Sequence, residues 1–212
     1  MTNQLPTYTK KEERINSLSH GFGALLSLIA FIFLLLKSDS QKEYITCTIF
    51  GLSMFNLYLI SCLYHAKSPK KKSKKILRLI DHCNVYLLVF GTYIPISLLS
   101  IPSQKAIYLV ILVGFITLIG IILSCLNLNR YQTLEVICHL FNGWSILIGF
   151  PELHQTLKLP GLFLLIGGGI LYSIGAFLYQ IGSRKKYMHS IFHFFCILGS
   201  FAHFFCIYLY LL

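Results

Sequence analysis

The 212-residue chain is 56% hydrophobic and only 12% charged, with a mean hydropathy of +0.71. A soluble domain carries roughly twice that charged fraction, so a soluble fold is excluded. The 18 Lys and Arg against 7 Asp and Glu would suit nucleic acid in a soluble protein. Here the basic residues sit between apolar runs, where membrane orientation and anionic lipid account for them and no nucleic-acid partner is expected.

Residues 1–17 are polar and form a cytosolic segment, in which KKEERINS is expected to be a brief capping or amphipathic stretch. The membrane domain, residues 18–212, follows as seven apolar runs: 18–36, 44–64, 79–101, 106–126, 134–150, 159–181 and 187–212. About 20 residues of helix cross the hydrocarbon, and strand-type alternation is absent, which argues against an outer-membrane barrel. The first run lacks a small-residue cleavage site and reads as a retained helix. The fifth run is short and carries Glu135, His139 and Asn142. In the sixth, Gly167 to Gly169 with Ser173 offers a small surface for close helix contact. Seven scattered cysteines form no CxxC pair, so they are expected to be buried thiols acting as small hydrophobes.

Loop charge bears on the doubtful fifth run. With seven crossings, fourteen basic residues fall on the amino-terminal side and four, Lys37, Lys42, Lys105 and Lys158, on the other. Without the fifth crossing the division is twelve against six. The expected fold is therefore an all-α integral membrane bundle of seven transmembrane helices, amino terminus cytosolic and carboxyl terminus outside. The densest basic stretch, seven residues beginning at Lys67 and ending at Arg78, reads mainly as a solvated topogenic loop, with anionic lipid headgroups as a further expected partner.

Three pieces then stand out: Ser61-x-x-x-His65, Asp81-His82 and His189-x-x-x-His193. Ionisable residues in transmembrane helices are costly and need a reason. In this topology the three pieces meet at the cytosolic leaflet. His189 and His193 share a helix face, with His193 about 6 Å deeper. Three imidazoles, a carboxylate and a hydroxyl at one depth suit a zinc ion with an activated water. Each piece also has a structural alternative: a histidine in the headgroup region, an Asp81–Arg78 pair one turn apart, or a Ser61 bond to its own helix backbone. Their coincidence on one side favours the joint reading. His82 points about 100° away from Asp81, towards a neighbouring helix or the interface. His20 and His139 are expected to be structural, with second-layer contacts as the alternative. His203 suits an interhelical hydrogen bond, and His154 falls on an outer loop.

The segments EERINSLSHGFGALL, SCLYHA, LRLIDHCNVYLLVFGTYIP and HSIFHFFCILGSFAHF resemble those of the hemolysin III family. That family is the bacterial branch of the progestin and adipoQ receptor proteins, in a superfamily with the alkaline ceramidases. The resemblance covers nearly the whole chain. It implies seven helices with a cytosolic amino terminus, and zinc (Zn2+) held by His65, His189 and His193. It also implies Asp81 on the water at the metal and Ser61 beside it. Cys83 stands where the family pattern has a small hydroxyl residue.

Three functions compete. The first is a zinc-dependent hydrolase of the plasma membrane that cleaves an amide or ester of a membrane lipid, with Asp81 and Ser61 as catalytic groups. The second is a non-enzymatic lipid sensor or membrane-homeostasis protein with structural zinc. The third is a pore-forming hemolysin. No run shows the continuous polar stripe that a wide pore needs, which disfavours the third.

Overall fold

A computed structural model describes residues 5–182 and 185–212, and all regular structure among them is helical. Arg184, one of the residues in the loop-charge argument, lies outside the described residues. The elements are α1 (Lys10–Lys37), α2 (Gln41–Ala66), α3 (Lys72–Ser100), α4 (Ser103–Trp144), a short 3₁₀ turn (Ser145–Gly149), α5 (Phe150–Gly182) and α6 (Met188–Tyr210).

Capping explains where the first helices begin. Thr9 accepts from the Glu12 amide at 3.2 Å while the Glu12 carboxylate accepts from the Thr9 amide at 2.9 Å. This reciprocal box satisfies two otherwise orphaned N–H groups. Helix α1 therefore starts eight residues ahead of the apolar run, and KKEERINS is its first two turns. Ser40 and Glu43 form the same box at the start of α2.

Among the described residues, five stretches are long and apolar enough to cross a membrane, because Ser103–Gly182 counts as one. That stretch is broken at two residues. Asn127 is non-helical (φ −166°, ψ 93°), and its Oδ1 accepts from the Arg130 amide at 3.1 Å, as an N-cap asparagine does. Across this break Ser124 Oγ donates to Glu135 Oε1 at 2.6 Å, Asn142 Nδ2 donates to Thr117 Oγ1 at 3.0 Å, and Lys105 pairs with Glu152 at 2.7 Å. Partners descend on one side as they ascend on the other, so the chain doubles back at Asn127 as an antiparallel hairpin. A second reversal lies at Lys158 (φ 54°, ψ 172°), just before Pro160, which suits a helix's first turn. Trp144 Nε1 donates to Ser173 Oγ at 3.0 Å and Gln180 Nε2 to Thr133 Oγ1 at 3.0 Å across it.

Helices adjacent in the chain pack on one another, and α6 returns to α1, closing the bundle. The core is built on large side chains such as Phe50, Met54, Tyr58 and Tyr86, all fully buried. Close approach is bought by small residues at specific points: Gly168 faces the His203 ring and Gly169 faces Trp144. Gly168 and Gly169 thus serve contacts within the chain, whereas a side chain at Gly167 would meet nothing within 4 Å. Exposed Leu18, Phe22, Phe163 and Phe177 lie on the outside, as expected of a surface solvated by lipid. With its apolar helices, this is a multi-pass membrane protein.

Candidate metal centre

The end of α2 and the start of α6 bring three imidazoles together. His189 Nε2 lies 3.3 Å from His65 Nε2 and 3.2 Å from His193 Nε2. The three donor atoms all fall within 4.8 Å of one another, and all three residues are buried. A tetrahedral ion with metal–nitrogen bonds of about 2.0–2.1 Å sets its ligands roughly 3.3 Å apart. Two of the three separations match this spacing and the third is within 4.8 Å, so the three nitrogens form a group that could hold a metal ion.

The outer nitrogens explain why the inner ones converge. His65 Nδ1 donates to Glu13 Oε2 at 2.7 Å, and Glu13 Oε1 accepts from Lys74 Nζ at 2.5 Å. His193 Nδ1 faces the Asn16 carbonyl at 3.2 Å and Ser19 Oγ at 3.3 Å. With Nδ1–H engaged in this way, the Nε2 lone pairs point inward, which is how outer partners orient metal-ligating histidines. His189 is held by stacking on Tyr8, with ring centroids 4.8 Å apart. Tyr8 precedes α1; burial raises its phenol well above the ordinary tyrosine range, so it stays a hydrogen-bond donor. His20 stacks on His193 at 3.6 Å without joining the three-histidine group.

Asp81 and Ser61 are neighbours on the wall of a cavity of about 310 Å³, which His189 and His193 also line. Asp81 is screened from bulk solvent and open to this cavity. From Asp81 the lining continues along α3 to Ile96, about 22 Å at 1.5 Å per residue. His203 lies further along α6, and its Nε2 donates to the Leu165 carbonyl at 3.1 Å, the interhelical bond its position suggested. His82 turns to α4, where its Nδ1 lies 3.3 Å from Glu135 Oε2. His139 stacks on Tyr86 at 3.6 Å, and His154 is exposed.

Several residues around the centre escaped the sequence reading. Glu13 and Asn16 were part of an apparently solvated segment, and Lys74 and Arg78 part of a basic loop. Lys74 is 1% exposed, held by Glu13 and the Lys67 carbonyl, and Arg78 is also buried. The legible signal was the spacing Glu13, Asn16, His20, which places a carboxylate, an amide and an imidazole on one face of a helix.

The family model described as "Haemolysin-III related" matches residues 8–204. The chain belongs to this family. It is 38% identical over 206 residues to "Hemolysin-3 homolog" of Bacillus subtilis (strain 168), covering 96% of each chain. It is 34% identical over 217 residues to "Hemolysin-3" of Bacillus cereus, covering 100% of this chain and 98% of that one. More distant is human "Monocyte to macrophage differentiation factor", 25% identical over 207 residues, 94% of this chain and 84% of the other.

The Glu13 contact yields a first prediction. Glu13→Gln should weaken metal binding about 10- to 100-fold, the usual effect of losing an outer-layer partner, as measured by competition with a chromophoric chelator. Because Lys74 then loses its counter-charge, the double variant Glu13→Gln, Lys74→Met should recover stability without recovering metal affinity. Unchanged affinity in Glu13→Gln would show that Glu13 does not act through His65.

Proposed function

We propose that the protein is a zinc-dependent hydrolase of the plasma membrane that cleaves an amide or ester bond in a membrane lipid. The observation that carries this reading is the three-histidine cluster, of which His189 and His193 line the same long, mainly apolar cavity as Asp81 and Ser61. Zinc held by three imidazoles, with one coordination position left open, would supply a Lewis acid and lower the pKa of a water to about 7. Asp81 orients the attacking water and takes its proton. Ser61 donates a hydrogen bond to the oxygen on which negative charge develops. The rest of the cavity excludes water and holds one acyl chain along α3.

The proposal includes seven crossings, with the amino terminus cytosolic and the carboxyl terminus outside. The reversals at Asn127 and Lys158 support it by dividing Ser103–Gly182 into three rods beside α1, α2, α3 and α6. The excess of basic residues on one side supports the orientation. The centre then sits in the cytosolic leaflet, where a lipid can enter sideways, and the exposed lysines of the 67–78 stretch meet anionic headgroups.

The test is purified protein in liposomes of mixed lipid, screened by untargeted mass spectrometry for cleaved products. A product that grows with time, disappears with a chelator and returns with zinc is expected. A product that forms equally in a metal-free protein would sink the proposal. A second reading, non-enzymatic lipid sensing with a structural metal, draws on the fact that His65 and the two histidines of α6 belong to helices that pack mainly through α1. It predicts no product under any metal condition and a large loss of stability on metal removal.

A further inference from the structure

Cys83, where the family pattern has a small hydroxyl residue, lies half-buried on α3, two residues after Asp81. Three contacts fix what stands opposite it. A side chain at Gly114 would meet Phe90, and one at Gly120 would meet Tyr86. Just past the break in α4, Asn129 Oδ1 accepts from Arg78 Nη1 at 2.8 Å. Positions descend on α3 as they ascend on α4, so the two helices are antiparallel, and the same register sets Cys83 against Cys125. The two thiols are close enough to share a hydrogen bond.

They differ in access. Cys125 is exposed, two residues before the reversal at Asn127 and near the exposed Asn129 and Arg130. A water-soluble reagent therefore reaches it from the polar end of its helix. Cys47, Cys196 and Cys206 are buried and suit the expected role of small hydrophobes; this pair does not. A redox-sensing thiol is accessible and has a second thiol beside it to resolve the oxidised form.

We propose that Cys83 and Cys125 form a redox-responsive dithiol site, which takes a low-molecular-weight disulfide as oxidant and closes as a bond between α3 and α4. With glutathione disulfide, the Cys125 thiolate attacks one sulfur, a mixed disulfide forms and one glutathione leaves. The Cys83 thiolate then attacks the Cys125 sulfur, the protein disulfide forms and a second glutathione leaves. The two thiol protons end on the two glutathiones, and two electrons pass from the protein to the oxidant. The closed bond pins α3 to α4 beside Asp81 and His82, which line the cavity. In the proposed orientation the pair lies at the cytosolic side, where thiols are kept reduced and such bonds are transient. The site needs neither metal nor hydrolysis, so it stands independently of the reading above.

The test is the full chain in nanodiscs, treated with glutathione disulfide, alkylated, digested and mapped by mass spectrometry. Wild type should lose two of its seven thiols to a Cys83–Cys125 linkage within one chain, and excess reduced glutathione should restore both. Cys83→Ser should stop after the first step and retain one glutathione on Cys125. Cys125→Ser should leave Cys83 reduced over the time in which wild type closes. Both thiols still open to alkylation after the treatment, a linkage to Cys138 or between two chains, or glutathione retained on Cys125 of wild type would overturn the site. Should either variant not fold, the linkage map of wild type decides alone.

Discussion

His193→Ala should leave the purified protein essentially without metal, its affinity falling by more than the roughly hundredfold that loss of an outer-layer partner can cause. His193 is 1% exposed, its Nε2 is 3.2 Å from His189 Nε2, and its Nδ1 faces the Asn16 carbonyl. Truncation removes one of three donors and leaves a hole beside His20, so stability should also fall by about 2–4 kcal/mol. The two effects can be separated with His203→Ala. That residue is a buried histidine on the same helix, hydrogen-bonded to the Leu165 carbonyl, and its loss should cost comparable stability while leaving metal content at the wild-type level. Elemental analysis beside thermal unfolding of both variants is the measurement. Equal metal in His193→Ala and wild type would remove His193 from the centre.

Asp81→Asn should do the reverse, retaining metal and losing turnover. The amide is nearly the same size as the carboxylate and cannot accept a proton from water, and a positioned general base contributes typically 10²–10⁴-fold to rate. Product formation in the liposome assay should fall by about that factor while metal content stays unchanged. If Asp81 instead ligates a closed structural ion, the substitution should weaken metal retention, and no product would be seen before or after it. Wild-type rates in Asp81→Asn would exclude it as the proton acceptor.

The sequence exposed the three-histidine cluster and hid the residues around it, for a physical reason. His65, His189, His193, Asp81 and Ser61 stand out because polar groups inside apolar runs are expensive. Glu13 and Lys74 lie in polar stretches where charge is ordinary, and only the folded chain shows that α1 and α3 begin early enough to bury them. The helix boundaries follow the same rule. The apolar runs at 18–36 and 44–64 fall within α1 and α2, but capping by Thr9 and Ser40 carries both helices beyond the hydrophobic stretch. The polar residues that made the fifth run doubtful are the ones that bind it to its neighbours. Glu135 takes hydrogen bonds from Ser124 and Asn142 donates to Thr117, and such bonds between helices hold a bundle together in lipid. The two reversals were legible as the gaps at 127–133 and 151–158 between the fourth, fifth and sixth runs, and Asn127 and Lys158 each stand at the edge of one. Gly168 and Gly169 were legible as a close-contact surface, unlike Gly167, which faces open space, but their partners, His203 and Trp144, were set by packing that no local pattern encodes.

The proposed function requires that His65, His189 and His193 hold a zinc ion through their Nε2 atoms. X-ray absorption at the zinc edge on purified wild-type protein tests it most directly. The account predicts about one zinc per chain, with three imidazole nitrogens at about 2.0–2.1 Å, one further light-atom ligand and no sulfur. A sulfur shell at about 2.3 Å, fewer than three imidazoles, or protein that binds no zinc when it is supplied would contradict it.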